Sequence, residues 1–466
     1  MKKFTTALFL CLISFCFLIT GCSKAKFDMP QNYTEVSSNG GFVVGAGNYM
    51  YFANTFNSKA NLTSKADNSG DGSSHRAIKM VEVLREGDHT GWFDIKKQDD
   101  KIEYNNVINK IAGFECSNMF VVGKNLYFTT PNVHKNKSNE YNFKLTTLFK
   151  IKLDGSDLKE VYTTESENAK FYLQGTSKKT ILIFDNSKIK QVDASSGETK
   201  TTVVAEDVEN VVFPEKLEQD IAWLYYTSTK SEEALLGGNV LKKVSLTTLE
   251  KHEVYAPVGE TIKILAYEDG RLFYTKSGKE TTKGLYTTNF ESSSMPSSPI
   301  RTLTTGLEDE TDIAFITADD GRSAFVFMYD NNLYIQFLSA TSQAQAKKIS
   351  TEETTLQFFN GTYVYYSTEN GIYRVSVINA YNNIQNSEEI EVQQISNQKN
   401  ITNNAMDFDG KYVYFFASQE GQESENKYLF RADVTASQGA NAECIAELLE
   451  EDVIEEGEET EEETEE

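Results

Sequence analysis

The chain has 466 residues, 39% hydrophobic, 12% aromatic and 24% charged, with six prolines and two tryptophans. That is ample for a large core. The net charge is −24, or −26 without Lys2 and Lys3 of the first 21 residues; thirteen acidic residues with no Lys or Arg lie between Glu447 and Glu466, which leaves about −13 on the folded body. A protein this acidic repels phosphate backbones, so nucleic-acid binding is excluded as an expected role.

Residues 1–21 open with Lys2 and Lys3 and continue into an apolar run over 7–19. That run is nearer in length to a signal-peptide core than to a membrane span. It ends in Leu18-Ile19-Thr20-Gly21-Cys22, which resembles the lipobox of bacterial lipoproteins. The resemblance implies cleavage before Cys22, acylation of that cysteine (palmitate among the chains), and an extracytoplasmic protein anchored to a bacterial membrane. Several acyl chains hold stably where one would not. Ser23 follows the cysteine rather than Asp, so the resemblance does not imply retention at an inner membrane. Cys11 and Cys16 fall in the removed segment, leaving Cys116 and Cys444. The compartment would permit a disulfide between them; two buried thiols is the alternative. Residues 22–40 are polar and without period and read as a tether, with an added strand at 32–38 as an option.

From 41 to 449 the chain repeats. An aromatic or apolar pair sits inside a short strand at Tyr51-Phe52, Tyr127-Phe128, Ile183-Phe184, Tyr225-Tyr226, Phe273-Tyr274, around Phe327, at Tyr365-Tyr366 and at Tyr414-Phe415. The first spacing is 76 residues and most others lie between 38 and 56. Each pair follows a shorter strand and precedes a third, as at 148–153, 240–244 and 372–377; a fourth usually ends the unit, as at 159–163, 253–255, 300–303 and 390–395. Helical periodicity is absent. Four strands per unit at this spacing predict an all-β fold, a single β-propeller of about eight four-stranded blades, or seven if unit 1 is not a true blade. Units are numbered 1–8 in chain order.

Unit 2 carries the clearest motif. Leu148-Phe149-Lys150-Ile151-Lys152-Leu153-Asp154-Gly155-Ser156-Asp157-Leu158-Lys159, preceded by Asn125-Leu126-Tyr127-Phe128, resembles the repeat of TolB-like propellers and of the related domain of unknown function 5050 (DUF5050). Asp154-Gly155 would make the tight turn between strands three and four. The same turn reads Asp193-Ala194-Ser195-Ser196-Gly197 in unit 3 and Leu246-Thr247-Thr248-Leu249 in unit 4. The resemblance implies the fold and carries no catalytic residues.

The loops joining strands two and three share one face with the blade-to-blade connections. They are long in unit 1 (54–76), unit 2 (131–146), unit 4 (229–238) and unit 8 (418–426). Units 8, 1 and 2 would be neighbours in a closed ring, so three long loops would share one sector, where ligand contact is expected. The candidate ligand-binding residues there are Asp67, Asp71, His75, His134, Tyr141 and Glu423. Asp67, Ser69 and Asp71 with Gly72 mimic the start of a calcium loop, but the twelfth position is Ile78 and lacks the bidentate carboxylate. No cofactor is expected, with calcium as the alternative. His89 and His252 show no evident partner. No nucleophile elbow, phosphate-cradling loop or zinc spacing is present, so no catalytic residue is assigned. Residues 450–466, rich in Glu and Thr, are expected to be disordered. The expected role is a non-catalytic binding or scaffold protein at the cell envelope, for a protein, peptide or glycan. The alternatives are a propeller-fold glycoside hydrolase or polysaccharide lyase and a TolB-like envelope assembly subunit.

Overall fold

A computed structural model describes strands and many connections between residues 36 and 447. Residues 1–35, 54–77, 83–95, 104–108, 113–116, 214–221, 230–237, 290–312, 339–345, 419–427, 436–441 and 448–466 lie outside the described residues, as do some shorter turns.

The chain opens with β1 (Val36–Ser38), within the optional 32–38 strand. Unit 1 follows as β2 (Val43–Ala46), β3 (Tyr49–Ala53) and β4 (Ile78–Glu82). A ribbon of β5 (Lys96–Gln98) and β6 (Lys101–Glu103) intervenes before β7 (Asn109–Ala112) completes that sheet. Unit 2 is β8 (Ser117–Val122), β9 (Asn125–Pro131), β10 (Thr146–Lys152) and β11 (Lys159–Thr163). Unit 3 is β12 (Lys170–Gln174), β13 (Thr180–Asp185), β14 (Lys188–Asp193) and β15 (Thr201–Ala205). Unit 4 is β16 (Val208–Val211), β17 (Trp223–Ser228), β18 (Val240–Ser245) and β19 (Lys251–Tyr255). Unit 5 has three described strands, β20 (Glu260–Glu268), β21 (Arg271–Gly278) and β22 (Leu285–Asn289), and its expected fourth at 300–303 lies outside the described residues. Unit 6 is β23 (Ile313–Thr317), β24 (Ser323–Tyr329), β25 (Asn332–Phe337) and β26 (Lys347–Lys348). Unit 7 is β27 (Thr355–Phe359), β28 (Tyr363–Thr368), β29 (Gly371–Ser376), helix α1 (Val377–Asn386) and β30 (Gln393–Ser396). Unit 8 is β31 (Ile401–Phe408), β32 (Tyr412–Ala417), β33 (Tyr428–Asp433) and β34 (Glu443–Glu447).

Each unit forms its own antiparallel sheet in strand order one-two-three-four. Units 2–8 are seven consecutive blades, the alternative count; unit 1 adds a further sheet. First strands of neighbours touch (β2 with β8, β16 with β20, β20 with β23, β27 with β31), so first strands lie innermost. β1 pairs with β8 from the inner side, Val36 opposite Val122 and Ser38 opposite Phe120, and makes a fifth strand there.

The second strands are buried along nearly their whole length, as in Ile181–Ile183 and Leu224–Ser228, because each blade is covered on both faces. Every seam of the run has its own apolar core. Phe120, Tyr127 and Leu148 meet Leu173, Ile181 and Ile183 between units 2 and 3. Leu182 and Ile189 meet Leu224 and Tyr226 next, then Tyr225 and Leu241 meet Ile264 and Tyr274. Phe273 packs on Phe315 and Phe325 between units 5 and 6. Tyr365 and Ile372 meet Val413 and Phe430 between units 7 and 8, where Cys444 is also buried; Cys116 lies outside the described residues. Unit 1 touches both ends of the run. Phe42 packs on Phe416 of unit 8 with ring centroids 4.5 Å apart, and the Tyr51 hydroxyl donates to the Leu153 carbonyl of unit 2 at 2.8 Å. Tyr127 repeats that bond one unit on, to Ala194 O at 3.2 Å.

The Asp154-Gly155 turn is present as expected. Asp154 Oδ1 accepts from the Ser156 N–H (2.8 Å) and hydroxyl (2.6 Å), and Gly155 sits at φ +83°, where a side chain would be strained. Unit 8 builds the same turn without glycine: Asp433 Oδ1 accepts from the Thr435 N–H (2.7 Å) and hydroxyl (2.6 Å). Unit 4 uses Ser245 Oγ instead, which accepts from the N–H groups of Thr247 and Thr248, with Leu249 at φ +62°.

Helix α1 corrects the expectation that helices are absent. It replaces the simple turn between strands three and four of unit 7. Ser376 caps it by accepting from Asn379 N at 3.3 Å, and Ser387 ends it in the left-handed region at φ 60°. Val377, Ala380 and Ile384 are buried against Leu333, Phe337 and Val375, a spacing of three and four residues that fits one helix face.

Candidate functional site

The antiparallel order places the loops between strands two and three, and the blade-to-blade connections, at one end of every sheet. The described part of the expected sector is the unit 2 loop after Pro131. It is built around Asn132, a buried side chain at the end of β9. Asn132 Oδ1 accepts from His134 N at 2.9 Å, and its Nδ2 donates to His134 O (2.9 Å) and Asn142 O (3.4 Å). The backbone pair Asn132 N to Leu145 O (2.8 Å) closes the loop. One buried amide thus ties both limbs, because a loop crossing the top of a blade has no ladder of its own to satisfy its polar groups.

His134 is exposed and reaches Glu160 of β11, Nε2 to Oε2 at 2.7 Å; Glu160 Oε1 accepts from the Thr163 hydroxyl at 3.0 Å. Lys144 pairs with Glu167 at 3.4 Å. The loop therefore presents a His–carboxylate pair and a Lys–carboxylate pair to solvent. Asp67, Asp71, His75, Tyr141 and Glu423 lie outside the described residues, as do Cys22, His89, the calcium-like segment and the terminal acidic segment. His252, which shows no evident partner in the sequence, has two: its ring packs T-shaped against Trp223 with centroids 5.2 Å apart, and Nε2 lies 3.2 Å from Glu250. Among the described residues no group of three or more His, Cys, Asp or Glu could hold a metal.

Beside the loop, at the seam of units 2 and 3, lies a polar cluster that no motif announced. The Asp185 carboxylate at the end of β13 is fully buried. It accepts from the N–H groups of Glu165 and Ser166 (2.8 Å each), the Ser166 hydroxyl (2.7 Å) and the Tyr162 hydroxyl. Burial alone would raise its pKa, but these bonds outweigh burial and hold the carboxyl below the usual range. Lys190, also buried, donates to Glu165 Oε1 (2.9 Å) and to the Tyr162 hydroxyl, and lies 3.7 Å from Asp185 and over the Tyr162 ring. Burial, then the bond to Asp185, raises the Tyr162 phenol far above its ordinary value. Asn186 donates to Glu165 Oε2 at 2.9 Å. One lysine faces two carboxylates, every group is bonded, and the result fixes the connection from unit 2 to unit 3 in place. Chemically this is a clamp; it leaves no activated nucleophile. Its sequence signal was an Asp closing an apolar strand, Ile181-Leu182-Ile183-Phe184-Asp185, whose partners lie about 20 residues upstream.

No family model matches the chain, and no curated protein matches its sequence. Among solved structures it is similar to the β-propeller domain of the Trilobed protease from Pyrococcus furiosus, at 11% identity over 89% of this chain and 98% of that one, with a TM-score of 0.35. It is similar to a prolyl endopeptidase at 10% identity, over 86% of this chain and 54% of that one, with a TM-score of 0.41. It is also similar to an oligogalacturonate lyase from Vibrio parahaemolyticus at 13% identity, over 67% of this chain and 87% of that one, with a TM-score of 0.37. Identities and scores this low carry nothing about activity; the strands themselves establish the β-propeller.

Proposed function

We propose that the protein is a lipid-anchored extracytoplasmic β-propeller that binds a peptide, protein or glycan through the face bearing the loops between strands two and three, without catalysis. The observation that carries the binding reading is the unit 2 loop. It is a polar segment stretched over a rigid blade and held by a buried Asn132, and it offers His134, Glu160, Lys144 and Glu167 as hydrogen-bonding groups at fixed separations. The anchor reading rests on the lipobox-like run ending at Cys22.

A peptide and glycan array tests the first part. The protein and an Asn132→Ala variant, checked for the same far-ultraviolet spectrum, are compared on it. Ligands held by the parent should be lost or weakened in the variant, and an unchanged array pattern overturns the assignment to this loop. Turnover of any array glycan or peptide would overturn the non-catalytic reading. For the anchor, Cys22→Ala should move the protein from the membrane to the soluble fraction, and unchanged partitioning would overturn it.

A further inference from the structure

We infer that the protein faces its membrane with the opposite end of the propeller, the end carrying the turns between strands one and two and between three and four, and so holds the unit 2 loop away from the lipid. This deepens the anchor reading and rests on it.

The argument starts from β1. Val36 lies opposite Val122, the last residue of β8, next to the Gly123-Lys124 turn that leads into β9. Ser38 lies opposite Phe120, further along toward the other end. The chain therefore enters the propeller at the end bearing the Gly123-Lys124 turn and runs up the inner edge of unit 2. Met119 N donates to Gly41 O at 3.0 Å, which fixes where the chain leaves β1 for unit 1. The entry point is thus on the inner side of one end, beside the axis.

Reach decides the orientation. From Cys22 to Val36 the chain spans fourteen residues, at most about 45–50 Å when fully extended. With the entry end toward the bilayer, almost none of that reach is required. To turn the propeller over, the same segment must cross a blade four strands wide, about 15–20 Å with side chains, and then climb a strand length of about 23 Å. Those two legs consume nearly the whole contour and would hold every residue extended against its conformational entropy. The short tether and the inner position of β1 together select one face.

The test uses the full lipidated protein in vesicles of phosphatidylethanolamine and phosphatidylglycerol that carry a nitroxide on the headgroup. In a Cys116→Ser background, with Cys444 buried, a dye is placed by Lys124→Cys or Lys411→Cys at the entry end, or by Lys137→Cys or Asp330→Cys at the loop end. Quenching several-fold stronger at 124 and 411 than at 137 and 330 is the expected result. Equal or reversed quenching of vesicle-bound protein overturns the orientation while leaving the anchor intact. Failure to co-sediment with the vesicles overturns the anchor, and the orientation with it. A flexible Gly/Ser insert of about 20 residues after Ser23, adding roughly 25 Å of mean reach, should shrink the difference between the two ends; an undiminished difference overturns the tether as its cause.

Discussion

The seam between units 2 and 3 and the seam between units 6 and 7 solve one packing problem with different chemistry. Both bury apolar strands face to face. At the first, the connection is then fixed by a buried carboxylate, a buried lysine and a phenol in mutual contact. At the second, helix α1 lays Val377, Ala380 and Ile384 over the strands, while Arg322 stacks on Tyr381 at 4.2 Å and donates to Asn382 at 3.1 Å on its outer side. The contrast separates two kinds of cost. A buried charge cluster is stable only while every member keeps its partner, so single losses are severe. An apolar cover loses stability in proportion to the volume removed and is indifferent to pH.

Substitution at Asp185 should separate the two seams most. Asp185→Asn turns an acceptor toward two backbone N–H groups into a partial donor and leaves Lys190 with one carboxylate. A loss of about 3–5 kcal/mol is expected at neutral pH, read as a fall in denaturation midpoint. The sign with pH follows from the lowered pKa. Stability from Asp185 is fully present above its ordinary value of 3.8 and is lost as pH falls through the lower folded value. The gap between parent and variant should therefore close in that acid window, and a gap that stays constant there would refute the clamp. Ile384→Ala should cost about 2–4 kcal/mol from the cavity under α1, with no change in the gap across that acid window. Ser376→Ala should cost about 1 kcal/mol through loss of the helix cap, visible as faster amide exchange in 377–386 and nowhere in units 2 and 3.

The propeller was readable because strand period, turn spacing and paired aromatics are local signals, and seven of the eight anchor strands recur within narrow limits. Helix α1 was not read, although Ser376 followed by Val377, Ala380 and Ile384 is a capped helical spacing. Its asparagine-rich outer face has low helix propensity, and the alternation of Tyr373, Val375 and Val377 carries the expected strand at 372–377 into the first residue of the helix. The turn in unit 8 carries no Asp-Gly signal for a related reason: Asp433 bonds the Thr435 N–H and hydroxyl where Asp154 bonds those of Ser156, and no glycine follows it. The Asp185 clamp lay beyond local reading altogether, since its partners at 162, 165 and 166 meet it only once two blades stack. His134 was picked out as a loop residue, but its contact with Glu160 depends on the loop folding back over the fourth strand.

The seam between unit 8 and unit 1 bears on how the molecule is made. Among the described residues each sheet is drawn from one continuous stretch, save that β1 joins the unit 2 sheet across unit 1, and no strand from either end of the chain is lent to the sheet at the other. During synthesis each unit can stack on its predecessor as soon as it emerges, but the flank of unit 1 that meets Phe416 must wait for the last unit. At roughly 5–20 residues per second, that wait is on the order of a minute. The growing chain then carries one uncovered apolar flank, around Phe42, for most of its synthesis, until Phe416 arrives to cover it.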